Sequence, residues 1–413
     1  MATFTFAQAA TRLLQCNRDL ILAQTSIVSA QADVQTADRS PNPTLTIGSA
    51  YINPQSGIGA GPLYQKQVDW QARIDHPAER GNKRGLRTAV AESALHATQW
   101  GVAETRRQQQ LALATAWINL WSAQQRIKVL TALEGLYQRT QDAAQTRLRV
   151  GDIAANDLVR ISVDTQHAQN DVQQAKVELA RAQFDLAAML AMEAQASALI
   201  ASEAWQTLAT PLAPEKLELL TAGRPDIQAA RAQLDTAKAA RDLALSQRTR
   251  DLTFGVQLEH YPAPAGIGNS ISVAVSMPLF VRHYNDGEIA RAEADFTTAL
   301  LALRKVEQLA FADQQRLAVE WQAAAARADR LKFQLLPMVE KMVANAEFAY
   351  KKGSVGVFDL LDALKQLRQM QLDALTARAD VEKADAAVRA AVLNVAAADE
   401  SPFSSSFFIN SGN

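Results

Sequence analysis

One cysteine in 413 residues leaves this chain without an intramolecular disulfide or a cysteine-based metal cluster, and Cys16 reads as an ordinary helix position. Long apolar runs are missing too. No stretch reaches the roughly 18 apolar residues of a membrane-spanning helix. Neither sign of charge prevails: 42 Lys and Arg against 43 Asp and Glu give a formal net charge of -1, with no basic field for nucleic acid and no acidic tail. The opening MATFTFAQAATRLL lacks the basic, apolar and small-residue succession of a secretory signal and reads as the start of an amphipathic helix. Arg12 interrupts the apolar run that lipidation at Cys16 requires.

Catalytic constellations are also lacking. His76, His96, His167, His260 and His283 are scattered, with no H-E-x-x-H, no phosphate-cradling glycine loop and no nucleophile elbow. The pairs Met189/Met192 and Met338/Met342 share helical faces and read as packing residues. No enzyme activity, cofactor or metal site is expected.

Proline supplies the map, because it breaks helix interiors. None occurs from Ala78 to Thr210, and only Pro337 falls between Leu279 and Ser401. The proline-free stretches are rich in Ala, Gln, Leu, Arg and Glu, all good helix formers. They predict helices near 6–38, 83–148, 156–198, 214–247, 286–350 and 357–397. Two of these reach ~65 residues, or ~100 Å of rod.

The chain is also written twice, at an offset of roughly 200 residues. RLRVGDIAANDLV from Arg147 returns as AYKKGSVGVFDLL from Ala349, so that Gly151 answers Gly353 and Asp157 answers Asp359. Asn17-Arg18-Asp19-Leu20 returns as Arg224-Pro225-Asp226-Ile227, and PTLTIG from Pro43 as RDLTFG from Arg250. Gly151 and Gly353 each follow a long helix and precede an Asp able to cap the next, marking two helical hairpin tips. Pro337 aligns with Gly135, which predicts a shallow kink in both rods.

Four short segments change period. From Val68 to Asp75 every even position is apolar and every odd one polar. Leu252, Phe254, Val256 and Leu258 alternate with Thr253, Gly255, Gln257 and Glu259; Ile271, Val273, Val275 and Met277 alternate with Ser272, Ala274 and Ser276; Leu45 and Ile47 do so more weakly. Each copy thus holds one β-hairpin of about ten residues per strand, with loops at Pro54–Leu63 and Pro262–Gly268. That length suits a tilted bilayer-spanning strand, and Tyr51, Tyr64 and Tyr261 stand at the loop ends where an aromatic girdle belongs. Four strands cannot close a barrel; three copies supply twelve. The alternative is two soluble hairpins on a coiled-coil scaffold.

The duplicated order of helix, strand hairpin, long helix, glycine tip and returning helix resembles the TolC family of outer-membrane efflux channels along nearly the whole chain. The tips RVGDIAANDL and YKKGSVGVFDLLDA and the helix starts NRDL and GRPDI carry it. HPAERGNKRGLR, from His76 to Arg87, resembles the P-x-E-x-G-G-K-R-x-x-R stretch of the heavy-metal (CzcC-type) branch, with Asn82 in place of its second glycine. The resemblance implies a mainly α fold with a small β part, in which duplicated long α-helical hairpins form a trimeric α-barrel beneath a 12-stranded transmembrane β-barrel. It implies a periplasmic helix at 1–40, a first transmembrane hairpin at 41–78, a long helical hairpin at 79–198 and an equatorial linker at 199–222. The second copy follows with a helix at 223–249, a β-hairpin at 250–281, a helical hairpin at 282–398 and a tail at 399–413. The implied partners are two further copies, outer-membrane lipid, a periplasmic adaptor and an inner-membrane pump of the resistance-nodulation-division (RND) type. The implied cargo is heavy-metal cations, with drugs or organic solvents as the alternative.

Site residues follow from the same resemblance. Asp359 and Asp362, three apart on one helix, occupy the place of an aspartate ring that narrows the periplasmic entrance. Tyr350 and Asp157 occupy the places of a hydrogen-bonded lock between neighbouring hairpins, and Val355 stands where an arginine often supports it. Gly151, Asp152, Gly353 and Ser354 form the tips expected to meet the adaptor. Lys83, Arg84 and Arg87 read as a solvated or lipid-headgroup-facing basic cluster at the barrel rim.

Overall fold

The computed structural model describes residues 2–50, 62, 68–207, 223–261 and 268–392. The two β-hairpin loops, the girdle residues Tyr51 and Tyr64, most of the 199–222 linker and the 399–413 tail lie wholly or mostly outside the described residues. The chain forms two compact units: Met1–Thr25, Trp100–Gln228 and Val306–Asn413 make one, Ser26–Gln99 and Ala229–Lys305 the other.

The second unit carries a four-stranded antiparallel sheet of β2 (Thr44–Ala50), β3 (Asp69–Ala78), β5 (Leu252–Tyr261) and β6 (Gly268–Ser276), in that order. The alternation seen in the sequence becomes two faces of opposite chemistry. Leu45, Ile74, Val256 and Val273 stand opposite one another in one row across the sheet, and Ile47, Ala72, Leu258 and Ile271 in the next. Every large apolar residue of these rows is exposed, Ile47 and Val273 at 74%. On the other face lie Thr46, Arg73, Gln257 and Ser272, then Gly48, Gln71, Glu259 and Ser270. There Gln257 Nε2 donates to Gln71 Oε1 at 2.8 Å, and Arg73 pairs with Asp75 at 2.8 Å. That ion pair lies across Gly255, where a Cβ would come within 2.5 Å of Asp75 Oδ1. Among the described residues β2 and β6 have a neighbour on one side only. β3 runs three residues beyond Asp75, past Pro77, which the strand tolerates near its end.

The first unit holds a pairing that the sequence reading missed. β1 (Ala2–Phe4) lies parallel to β4 (Leu199–Ala201), with Thr3 opposite Ile200. The first helix, α1 (Phe6–Cys16), therefore starts after a strand, at a capping box in which Gln8 N donates to Thr5 Oγ1 and Thr5 N to Gln8 Oε1. The expected 6–38 helix is two helices, because Asn17 is extended and α2 (Arg18–Ala37) begins anew. Buried Asn17 accepts from Leu20 N at 3.1 Å and donates to Met189 O at 3.1 Å, which fixes the break.

The long elements follow the proline map closely. They are α3 (Lys83–Arg149), α4 (Ala155–Met189), α5 (Pro225–Ser246), α6 (Asp286–Arg330), α7 (Leu336–Lys351) and α8 (Val357–Val392). α4 stops short of the expected 198 because Ala191 turns to positive φ and Met192 N closes on Ala187 O at 2.8 Å, leading through a 3-10 turn at Glu193–Ala198 into β4. The matched kinks are not matched. α3 continues unbroken through Gly135, whereas Leu331–Leu335 forms a π turn just before Pro337, a device that absorbs the lost N–H donor. Trp117, Leu113, Leu120, Leu186 and Leu190 build one core with Leu13 of α1, and Phe6 meets the rings of Trp117 and Trp205 edge-on.

Candidate functional site

The two hairpin tips are built alike, down to the backbone hydrogen bonds. At the first, Gly151 N donates to Leu148 O at 3.0 Å and Asp152 N to Arg147 O at 2.9 Å; at the second, Gly353 N donates to Tyr350 O at 3.1 Å and Ser354 N to Ala349 O at 3.0 Å. Both are Schellman closures, which need a left-handed residue: Gly151 has φ 80 and Gly353 φ 73. The glycine repeat thus has a conformational cause. Asp157 does not cap the next helix as expected. That place belongs to Ala154, which makes no side-chain cap, and Asp157 sits half-buried in the first turn of α4, where its charge suits the helix N-terminus.

Beneath the tips the two hairpins share an apolar core. Leu130, Leu133, Ile161 and Val172 of the first pack with Val343, Leu360, Leu364 and Leu367 of the second. Val357, Leu360, Leu361 and Leu364 turn inward, which leaves Asp359 and Asp362 exposed together on the opposite side of α8. Asp362 accepts from Gln366 Nε2 at 2.7 Å.

Tyr350 is brought to the junction, but its neighbour there is Arg147. The Arg147 guanidinium lies 4.6 Å from the Tyr350 ring centroid, donates to the Tyr350 carbonyl at 3.4 Å and pairs with Asp152 at 2.9 Å. Tyr350 Oη is enclosed, and among the described residues it has no hydrogen-bond partner, Asp157 included. Two further ion pairs tie α8 to α4, Lys365 to Asp164 at 3.1 Å and Arg368 to Asp171 at 2.7 Å. Beside them burial, and then the charge of Asp164, push the Tyr137 phenol up to about 12.

At the foot of the sheet the basic cluster is present but not free. Lys83, buried, pairs with Asp251 at 2.8 Å; Arg84 pairs with Asp38 at 2.9 Å; Arg87 pairs with Glu79 at 2.5 Å and donates to the carbonyls of Ala37 and Arg39. Of the three, only Lys83 is withdrawn from solvent; Arg84 stays exposed with its partner and Arg87 is half-buried. Each cation closes a joint between loop and helix.

Residues 217–392 match a family model described as outer membrane efflux protein. Over those residues the chain is similar to outer membrane efflux proteins. In sequence, the chain is 26% identical over 306 residues to the cobalt-zinc-cadmium resistance protein CzcC of Cupriavidus metallidurans, covering 73% of this chain and 71% of that protein. Among solved structures, a membrane protein from Pseudomonas aeruginosa is 17% identical with a TM-score of 0.81, over 94% of this chain and 90% of that one. The outer membrane protein VceC of Vibrio cholerae is 18% identical with a TM-score of 0.77, over 94% and 95%. The fold is accordingly the one those solved outer-membrane proteins have, mainly α with a small β part.

Arg147 and the α4–α8 ion pairs were missed in the sequence. For the pairs a signal existed, since Asp164 and Asp171 stand seven apart on α4 while Lys365 and Arg368 share a face of α8. For Arg147 there was none, because its partner is some 200 residues away.

Proposed function

We propose that three copies of this chain form the outer-membrane exit duct of a tripartite RND efflux system and that its cargo is heavy-metal cations. The observation behind the duct is the four-stranded sheet, apolar and exposed on one face, polar on the other and open at both edges. Hydrocarbon does not tolerate unpaired edges, and three sheets of four strands close a ring of twelve. A soluble scaffold explains neither that face nor the similarity of residues 217–392 to outer membrane efflux proteins. The observation behind the cargo is the CzcC-like sequence, shared over 306 residues. A drug or organic-solvent duct has the same architecture but lacks that support.

In this reading 41–78 and 250–281 cross the outer membrane, the helical hairpins 79–198 and 282–398 line a periplasmic tunnel, and 199–222 links the copies. Gly151, Asp152, Gly353 and Ser354 meet the periplasmic adaptor, which hands on cargo from the inner-membrane pump. Asp359 and Asp362 ring the entrance, six carboxylates in three copies, and the junction at Tyr350, Arg147 and Asp157 holds it shut. A conduit needs a polar lumen that does not retain its cargo, so no cofactor is called for.

Two measurements test this. Native mass in detergent should equal three chains. Expressed with a cation pump and its adaptor in cells lacking their own channel, the chain should restore tolerance to cobalt, zinc and cadmium. A monomer in plain buffer refutes the duct. Restored tolerance to drugs but not to metals refutes the cargo.

A further inference from the structure

With Lys83, Arg84 and Arg87 neutralised, the free positive charge at the foot of the sheet lies elsewhere. Where β5 and β6 meet the helices, Arg80, Arg248, Arg250, Met277, Phe280 and Tyr284 line a concavity of about 660 Å3. Arg248 is held by Asp286 at 2.9 Å. Asp251 is fully engaged, one oxygen accepting from the Arg80 backbone N–H at 2.9 Å and the other from Lys83 Nζ at 2.8 Å. Among the described residues no carboxylate pairs with the side chain of Arg80 or of Arg250, and Arg250 instead lies 5.2 Å from the Phe280 ring centroid. Asp286, the one carboxylate of the lining, is taken up by Arg248, so the hollow keeps two guanidinium groups in excess of its carboxylate.

The rim of the hollow is apolar. Met277 continues the outward alternation of Ile271, Val273 and Val275 by one step, and Met277, Leu279, Val281 and Tyr284 are all exposed. This apolar strip runs on from the apolar face of the sheet. Phosphate chemistry above an acyl-chain surface describes a phospholipid, and guanidinium is suited to bidentate phosphate contact.

We propose that this hollow binds the phosphate headgroup of an anionic phospholipid in the membrane leaflet at the foot of the sheet, with Arg80 and Arg250 on the phosphate and Met277 and Leu279 against the acyl chains. The proposal rests on the reading that the sheet spans a membrane. Each arginine near an anionic lipid surface is worth roughly fivefold in affinity, so losing both costs about 25-fold.

The test uses the full chain in mild detergent, with lipid retention read by native mass spectrometry and phosphatidylglycerol as the probe. Wild type should retain it in preference to phosphatidylcholine, and excess inorganic phosphate should not displace it. Arg80→Gln alone, at an exposed position, should weaken retention about fivefold, Arg80→Gln with Arg250→Gln about 25-fold, and Met277→Ser with Leu279→Ser should weaken it with both charges intact. Undiminished retention in the arginine variants, or displacement by inorganic phosphate, overturns the lipid site and leaves the duct standing. A chain that is monodisperse without detergent overturns the membrane reading and this site with it.

Discussion

Replacing Arg147 by Met should loosen the entrance while leaving the helices intact. Arg147 belongs to the first hairpin tip and Tyr350 to the second, so moving the tips apart must break their stacking at 4.6 Å and the 3.4 Å bond to the Tyr350 carbonyl. A cation over an aromatic ring at a partly exposed site is worth ~0.5–1 kcal/mol. The Arg147–Asp152 pair lies within the first tip and survives their separation, so it adds nothing to that figure. Where three copies open together that is about 1.5–3 kcal/mol, a shift of roughly 10- to 150-fold in the open fraction. Met keeps the apolar stem on the ring and removes only the charge. Single-channel recording in planar bilayers reads the open fraction directly. Asp152→Asn, which removes an ion pair internal to the first tip, should leave it close to wild type. An Arg147→Met channel within about threefold of wild type, or an Asp152→Asn channel equal to Arg147→Met, refutes the idea that the stacking holds the tips.

Asp359→Ala combined with Asp362→Ala should weaken cation selectivity and block by multivalent cations added on the periplasmic side, since both carboxylates are exposed on one face of α8; an unchanged reversal potential and blocker affinity would place the narrowest charged ring elsewhere. Gly151→Ala should cost about 1–2 kcal/mol, seen as a lower melting temperature, because φ is 80 and a Cβ there meets nothing within 4 Å, so the cost is backbone strain alone. Glu382 carries a pH signature: burial raises its carboxyl above the ordinary value despite the opposing Arg378 bond. A raised folded value means stability that is full below the ordinary carboxylate range and lost as pH climbs through the raised value. Melting temperature should fall across that window in wild type, and Glu382→Gln should flatten the slope; an identical slope in the variant would assign it to other groups.

What the sequence showed and what it hid divide along one physical line. Signals confined to a turn or a strand were legible: the alternation in Leu252–Leu258 and Ile271–Val275 became sheet faces, Gly151 and Gly353 became left-handed closures, and the absence of proline became α3 with nearly the expected ends. Signals spread over distance were not. β1 and β4 are three residues each and lie nearly 200 residues apart, so no local pattern announces them. The end of the first helix depends on an Asn17 side chain reaching Met189 O, and a contact of that range leaves no period in the sequence. The charges of Lys83, Arg84 and Arg87 were correctly found as a cluster. Their carboxylate partners Asp251, Asp38 and Glu79, two of them remote in the chain, decide that the cluster is structural.

The open edges of the sheet also bear on how such a channel is made. Among the described residues β2 and β6 are unpaired on their outer side, and if three copies close the ring as proposed, a ring short of one copy leaves two strands facing hydrocarbon. Partial rings are therefore poorly populated, and the closed form depends on the third power of free chain concentration. By mass action, while most chains are still free, halving their concentration lowers the number of finished channels about eightfold. Expression level would then act on this protein as a steep switch, and a variant that slows folding even modestly would deplete channels far more than it depletes chains.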